Sequence, residues 1–311
     1  MKKLVAWLRI IRPPIVFISC LGALVGALNS AAYLKQYGFH ELSLFQIIMV
    51  LLGSTFLSSG LMIYNDVTDL RSDKVNRPHK PLPKGIIKTR TASITGIFLM
   101  FLSIVIALNI DIKDYGVLNW RCGFLTIIVV LVGLYYNHYG KNHGIIGNVA
   151  VAFGVGVIPC WGAIGVFPSH PLIMLPLALA IFVQEIGREI MVCTGDYIGD
   201  LNAGFKTLPV KIGRKQSMYV ALIFYLTFIP LFPLPAFDWI GLGVPQVFGL
   251  LYLVGGSIFA ASLLLTWVIT YLVVLKNDEK KIWRAFERYE RTVTRVMVIV
   301  FQIILILEVF Y

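Results

Sequence analysis

Acidic residues are scarce in this chain, 16 in 311 residues, and they gather in two short runs whose spacing points to chemistry. The first is Asn65-Asp66-Val67-Thr68-Asp69-Leu70-Arg71-Ser72-Asp73. On a continuing helix Asp66, Asp69 and Asp73 fall at i, i+3 and i+7, with Asn65 one turn before Asp69, so all four share a face. Three carboxylates on one face at the mouth of an apolar bundle repel one another unless a cation lies between them. Oxygen-only ligands suit Mg²⁺, which keeps some of its waters and bridges to substrate phosphates. The competing reading is a solvated helix end whose acids pair with Arg71, Lys74 and Arg77. The second run carries Glu185, Glu189 and Asp196 at i, i+4 and i+11, with Asp200 one turn further. Ionisable groups inside an apolar span are costly and usually line a cavity or site.

Each run leads into a loop rich in glycine or proline that carries cations: Lys74 to Gly85, with Arg77 and Lys80, and Gly204 to Pro209, with Lys206. Proline fixes the backbone and ends helices, so the first loop reads as an ordered lid whose Arg77 and Lys80 meet phosphate oxygens, or else only as determinants of topology, as Lys84, Lys88 and Arg90 do. Two acidic helix ends on one membrane face would hold Mg²⁺ against a diphosphate, and an apolar bundle would house a hydrocarbon tail. Departure of diphosphate from an allylic carbon leaves a carbocation that needs shielding from water and aromatic faces nearby.

The elements that must position these residues follow from composition. The chain is 58% hydrophobic and 14% charged, with mean hydropathy +0.81, which excludes a water-soluble globule and makes the bilayer its solvent. Nine apolar runs are long enough to cross it, at about 13–34, 43–64, 91–110, 116–137, 144–167, 171–192, 217–237, 246–275 and 293–310. The fold class is therefore an all-α, multi-pass membrane bundle. The net charge of +11 is not a nucleic-acid signal: 24 of the 27 Lys and Arg residues fall on one side, which predicts a cytoplasmic N-terminus and even-numbered loops and an external C-terminus. Residues 1–311 read as one transmembrane domain, with an internal duplication suggested around the 66–90 and 188–215 loops. The four cysteines have no CxxC spacing and read as small buried residues. Trp161, Trp239 and Trp283 near span ends read as interface anchors. The glycines of the fifth span, Gly144 to Gly165, serve helix packing or open room for a tail, and Lys280 to Arg288 read as an amphipathic surface helix.

These residues resemble the UbiA superfamily of intramembrane prenyltransferases. The NDxxDxxxD motif of that family is matched at Asn65, Asp66, Asp69 and Asp73 and followed by Asn76-Arg77-Pro78 through Gly85. Its DxxxD motif is matched at Asp196 and Asp200, with Gly204 and Lys206-Thr207-Leu208-Pro209 behind it. Ile11-Arg12-Pro13, and Tyr136, Lys141 and Gly147-Asn148, are similar to family stretches as well. The resemblance implies a bundle around a central cavity and Mg²⁺-dependent transfer of a polyprenyl group from its diphosphate to a lipophilic acceptor, an aromatic or quinone precursor first and a prenylglycerol phosphate next. Asp66, Asp69 and Asp73 would hold one Mg²⁺ with Asn65 in support, and Asp196 and Asp200 a second. Asp66, Asp69, Asp196 and Asp200 form the implied catalytic set. Asn65, Arg77, Lys141 and Lys206 would serve the diphosphate, and Glu185 or Glu189 would orient the acceptor or Arg188. Membrane lipids are expected partners and nucleic acid is not. The sequence departs from the family at Thr68, where an aromatic residue is common, at Asn137, where many members have Ser, and at Val192-Cys193, where an additional Asp is frequent. A terpene cyclase acting on the same donor and a cation transporter are the rival readings; the transporter's acids would lie near the midplane in broken helices.

Overall fold

The computed structural model describes residues 2–35, 38, 42–167, 172–238, 246–276 and 278–310, and regular structure among these is entirely helical. An N-terminal helix, α1 (Lys2–Ile11), is set off from α2 (Pro13–Lys35) by Arg12, a non-glycine residue held at φ 57°. α3 (Leu44–Thr68) starts on a Ser43–Gln46 capping box and is followed by the short α4 (Leu70–Asn76). Next come α5 (Thr89–Asn109), α6 (Ile112–Tyr115) and α7 (Trp120–His138). The fifth expected span is two helices, α8 (Ile145–Gly156) and α9 (Ile158–Val166), which meet at Val157 where Pro159 occupies the first turn of the second. α10 (Leu175–Gly195) is followed by the short α11 (Tyr197–Ala203) and α12 (Leu208–Ile212), then α13 (Arg214–Leu231) and α14 (Leu250–Leu275). α15 (Glu279–Ala285) passes through a π-helical segment, Phe286–Val293, into α16 (Thr294–Leu307).

Eight helical runs among the described residues are long and apolar enough to cross a membrane, and the chain is a multi-pass integral membrane protein. The ninth expected crossing, α10, has 21 residues and is about 31 Å long at 1.5 Å per residue. It differs from the eight in composition, because Glu185, Arg188 and Glu189 interrupt it. Those charges face the protein interior, where Arg188 pairs with Glu290 of the π-helical segment.

Small residues set the helix spacing. A Cβ on Gly26 would come within 1.9 Å of Pro159 O, and one on Gly162 within 2.0 Å of Ala23 O, so α2 and α9 touch backbone to backbone. Gly154 is different, with nothing within 4 Å of its would-be Cβ. Both readings of the fifth-span glycines therefore apply, at different positions. Trp161 is a core residue rather than an interface anchor: it is buried, and its Nε1 donates to Thr126 Oγ1 at 2.8 Å. Trp283 lies at the surface, and Trp239 lies outside the described residues.

Candidate functional site

The two acidic runs do not sit on continuing helices. α3 ends at Asp69 (φ −83°, ψ 1°) and α10 at Asp196 (φ −88°, ψ 3°), and each chain then restarts as a seven-residue helix bearing the next acid, Asp73 or Asp200. At the first break the Thr68 hydroxyl donates to Asn65 O (3.0 Å) and competes with the helical pattern. The two short helices are laced together. Ser72 Oγ donates to Asp200 Oδ1 (3.0 Å), and Asn76 Nδ2 donates to Asp196 O (3.1 Å). Arg77 Nη2 donates to both Asp196 oxygens (2.6 and 2.9 Å), while its Nη1 reaches Asp73 (3.2 Å). Gly199 is required where Asn76 crosses, since a Cβ there would meet Asn76 Nδ2 at 2.1 Å.

Four of the five aspartates have cationic partners. Asp66 pairs with Arg12 and, at 3.0 Å, with Lys80, which also bonds Asp73 at 2.6 Å. Lys141 pairs with Asp69, and Arg291 joins Arg77 on Asp196 at 2.5 Å. Asn65 bridges the Asp69–Lys141 pair, with contacts of 3.0 and 3.3 Å. The solvated helix end is not what forms: Asp66 and Asp73 are each 2% exposed, whereas Arg71 and Lys74 are exposed and take no part.

Among the described residues Asp200 has no ion pair, and no three His, Cys, Asp or Glu side chains gather tightly enough to hold a metal by themselves. Burial and then the repulsion of Asp196 push the Asp200 carboxyl up to about 7, with Asp69 adding to it. Burial acts on Asp196 in the same direction, but Arg291 and Arg77 outweigh it and hold that carboxyl down to about 2. A hard, all-oxygen donor set with one unanswered carboxylate facing two others fits a divalent cation shared with a substrate.

Next to this mouth lies an apolar cavity of about 260 Å³ whose lining includes Asn65, Tyr136, Asn137, Gly154, Trp161 and Val192. Lys141 Nζ lies 5.2 Å from the Tyr136 ring centroid. Two of the departures from the family pattern touch each other, with Thr68 Oγ1 donating to Asn137 Oδ1 at 3.0 Å. The third contacts Asn148, whose Nδ2 lies 3.4 Å from Cys193 Sγ. Glu185 and Glu189 are both held by Arg188, which also bonds Glu290 at 3.3 Å. Lys206 is not brought into the ion-pair network. It is exposed and pairs with no acid among the described residues, and only its backbone N–H reaches this region, donating to Asn142 Oδ1 at 3.3 Å.

Several participants escape sequence reasoning. Arg12 reads only as part of the family-like Ile11-Arg12-Pro13, with no role of its own; Glu287 falls in the expected surface helix, Arg295 in the last expected span, and Glu290 and Arg291 between the two. Lys280, Lys281 and Arg284 are exposed as expected, but the π-helical segment packs on α10 and turns Glu290 and Arg291 inward. A π-helical stretch often marks a functional site, and no local sequence signal announces one here.

The UbiA prenyltransferase family model matches residues 16–295. The chain belongs to that family. It is 31% identical over 265 residues to the digeranylgeranylglyceryl phosphate synthase of Thermococcus gammatolerans, covering 85% of this chain and 87% of that one. It is 30% identical to the Methanococcus aeolicus protein of the same name, covering 97% and 98%. A UbiA homologue from Archaeoglobus fulgidus, solved bound to GPP and Mg²⁺, superposes with a TM-score of 0.66 at 16% identity, over 98% of this chain and all of that one, and so shares the fold. This UbiA-family chain is a prenyltransferase.

Proposed function

We propose that the chain transfers a polyprenyl group from its diphosphate to a prenylglyceryl phosphate, that Mg²⁺ supports the reaction, and that residues 1–311 work as one catalytic unit. The observation that carries this reading is the lacing of α4 to α11, Ser72 to Asp200 and Arg77 to Asp196, which joins the two acidic motifs into one mouth beside an apolar cavity. Mg²⁺ would be held by Asp66, Asp69, Asp73, Asp196 and Asp200 and would supply charge neutralisation for the departing diphosphate. Asn65, Arg77 and Lys141 surround those acids and would bind the diphosphate oxygens; the exposed Lys206 would have to swing in to join them. The allylic C–O bond breaks with its electron pair leaving on the diphosphate, the acceptor oxygen bonds to the freed carbon, and its proton passes to the departing diphosphate. Tyr136 lines the space where positive charge develops, Trp161 lines the far end of the cavity beside Gly53, and the bundle excludes the water that would quench the cation.

Sequence reasoning placed an aromatic or quinone precursor first among acceptors. The shared name of the Thermococcus and Methanococcus relatives supports a prenylglyceryl phosphate instead. The strong basic bias supports a site opening to the cytoplasm. The test is purified protein with labelled prenyl diphosphates of several lengths, Mg²⁺, and a panel of prenylglyceryl phosphate and aromatic acceptors, with products identified by mass. The expected result is Mg²⁺-dependent ether product on the glyceryl phosphate with stoichiometric diphosphate. Alkylation of aromatic acceptors only would overturn the acceptor, and product formed without acceptor would make the protein a cyclase.

A further inference from the structure

A second cavity, of about 170 Å³, adjoins the first and is lined by Leu177, Ala180, Phe228, Phe259, Val298 and Phe301 among others. The two share Ile15, Ser19, Val155, Ile158, Arg188 and Arg295. The first runs between α2, α3, α7 and α8, and the second between α2, α10, α14 and α16. From Arg188 to Leu177 along α10 and from Arg295 to Leu305 along α16, the second extends about 15 Å away from the shared wall.

The charges at that wall are unevenly answered. Arg188 spends its guanidinium on Glu185, Glu189 and Glu290. Arg295 makes no hydrogen bond or ion pair within 4 Å among the described residues, although it lies inside the bundle, and the charges acting on it are the cationic Arg12, Arg188 and Arg291 against a single acid, Glu290. Three more polar atoms in the lining of the second cavity are buried without partners: Gln184 Nε2 and Glu290 Oε2 near the shared wall, and Gln302 Oε1 about 10 Å beyond Arg295 along α16. Such groups are costly to leave unmet, and an apolar cavity with a few convergent polar groups at one end is built for an amphiphile.

We propose that the protein holds two hydrocarbon chains at once, the donor's in the first cavity and the acceptor's own chain in the second, and that Arg295 binds the anionic head group of the acceptor at the wall between them. An aromatic acceptor carries no chain to use a cavity about 15 Å deep, whereas a prenylglyceryl phosphate has both the chain and the anion. Its phosphate answers Arg295, and the glycerol oxygens answer Gln184 and Glu290. This deepens the proposed function and rests on it.

The test uses the full-length protein in detergent. A prenyl diphosphate and a prenylglyceryl phosphate, each with a diazirine at the chain end, are photolysed separately with the unaltered protein and the labelled peptides are sequenced. The donor probe is expected on α7 and α8 and the acceptor probe on α14 and α16; labelling of the same helices by both overturns the proposal. In kinetics, Ala180→Phe and Arg295→Gln are each expected to raise the KM for the acceptor at least tenfold and leave the KM for the donor within twofold, and R295Q is expected to erase the preference for the phosphorylated acceptor over the same prenylglycerol without phosphate. An unchanged acceptor KM, a donor KM that moves as much, or an intact phosphate preference overturns it. Failure of the underlying reading looks different: the unaltered protein then releases no diphosphate with any glyceryl phosphate acceptor, whatever the probes label.

Discussion

Asp196 and Asp200 lie one turn apart yet meet opposite surroundings, two guanidiniums on one and two carboxylates facing the other. With its pKa near 7, Asp200 holds a proton at pH 6 that a bound Mg²⁺ must displace, whereas at pH 8 it is already ionised. Asp196, held at about 2, contributes nothing across that range. Mg²⁺ affinity measured by calorimetry is therefore expected to weaken about fivefold from pH 7 to pH 6 with proton release, and to be flat from pH 8 to pH 9. Asp200→Asn should remove the dependence; an affinity for the unaltered protein that does not change between pH 6 and pH 8 contradicts the assignment. Arg77 spans two acids, with Nη2 on Asp196 and Nη1 on Asp73, a reach that the single nitrogen of a lysine cannot reproduce. Steady-state assays of Arg77→Lys should show kcat/KM lower by about tenfold or more, from loss of a charge-assisted bond of roughly 1.5–3 kcal/mol. The acids themselves were legible in the sequence from type and spacing. Their partners were not, because Arg12 is 54 residues from Asp66 and Arg291 is 95 from Asp196, and nothing local marks either pair.

At the scale of helices, the sequence reading had the right ends in the wrong local form. Helical periodicity put each acidic run on one face, but both helices stop at an Asp and restart, with nearly the same backbone angles and seven-residue second helices. The repeated turn supports the suggested internal duplication, for which a structure-based alignment of the 66–90 and 188–215 regions is the direct check. Gly199→Ala tests the lacing: its methyl displaces Asn76, so activity should fall more than thermal stability does. Helix packing gives a contrast in the same span. Gly162→Ala drives a methyl into the α2 backbone and should cost about 1–3 kcal/mol, read as a lower unfolding temperature in detergent, while Gly154→Ala, facing open cavity, should leave it unchanged. Apolar length alone could not reveal that the fifth span is two helices, but Pro159 near its middle was a readable signal.

Across the whole molecule, nine apolar runs foretold the bundle well because a bilayer admits few other solutions. What they could not foretell is the course of the last segment: the π-helical stretch reaches the mouth and brings Arg291 to Asp196 and Glu290 to Arg188. The expected assignment of 24 of 27 basic residues to one side predicts an external C-terminus, and reporter fusions there test it. The central claim is that motifs from α3–α4 and α10–α11, far apart in the chain, act as a single diphosphate site. A double-mutant cycle on kcat/KM for product formation tests it most directly, using Asp66→Ala, Asp196→Ala and the double variant, each shown to be folded by size-exclusion chromatography. Residues that act as one unit are non-additive, so each single change should abolish nearly all activity and the double variant should fall within about threefold of the lower single. Multiplying losses, or full turnover by either single variant, would contradict a shared site.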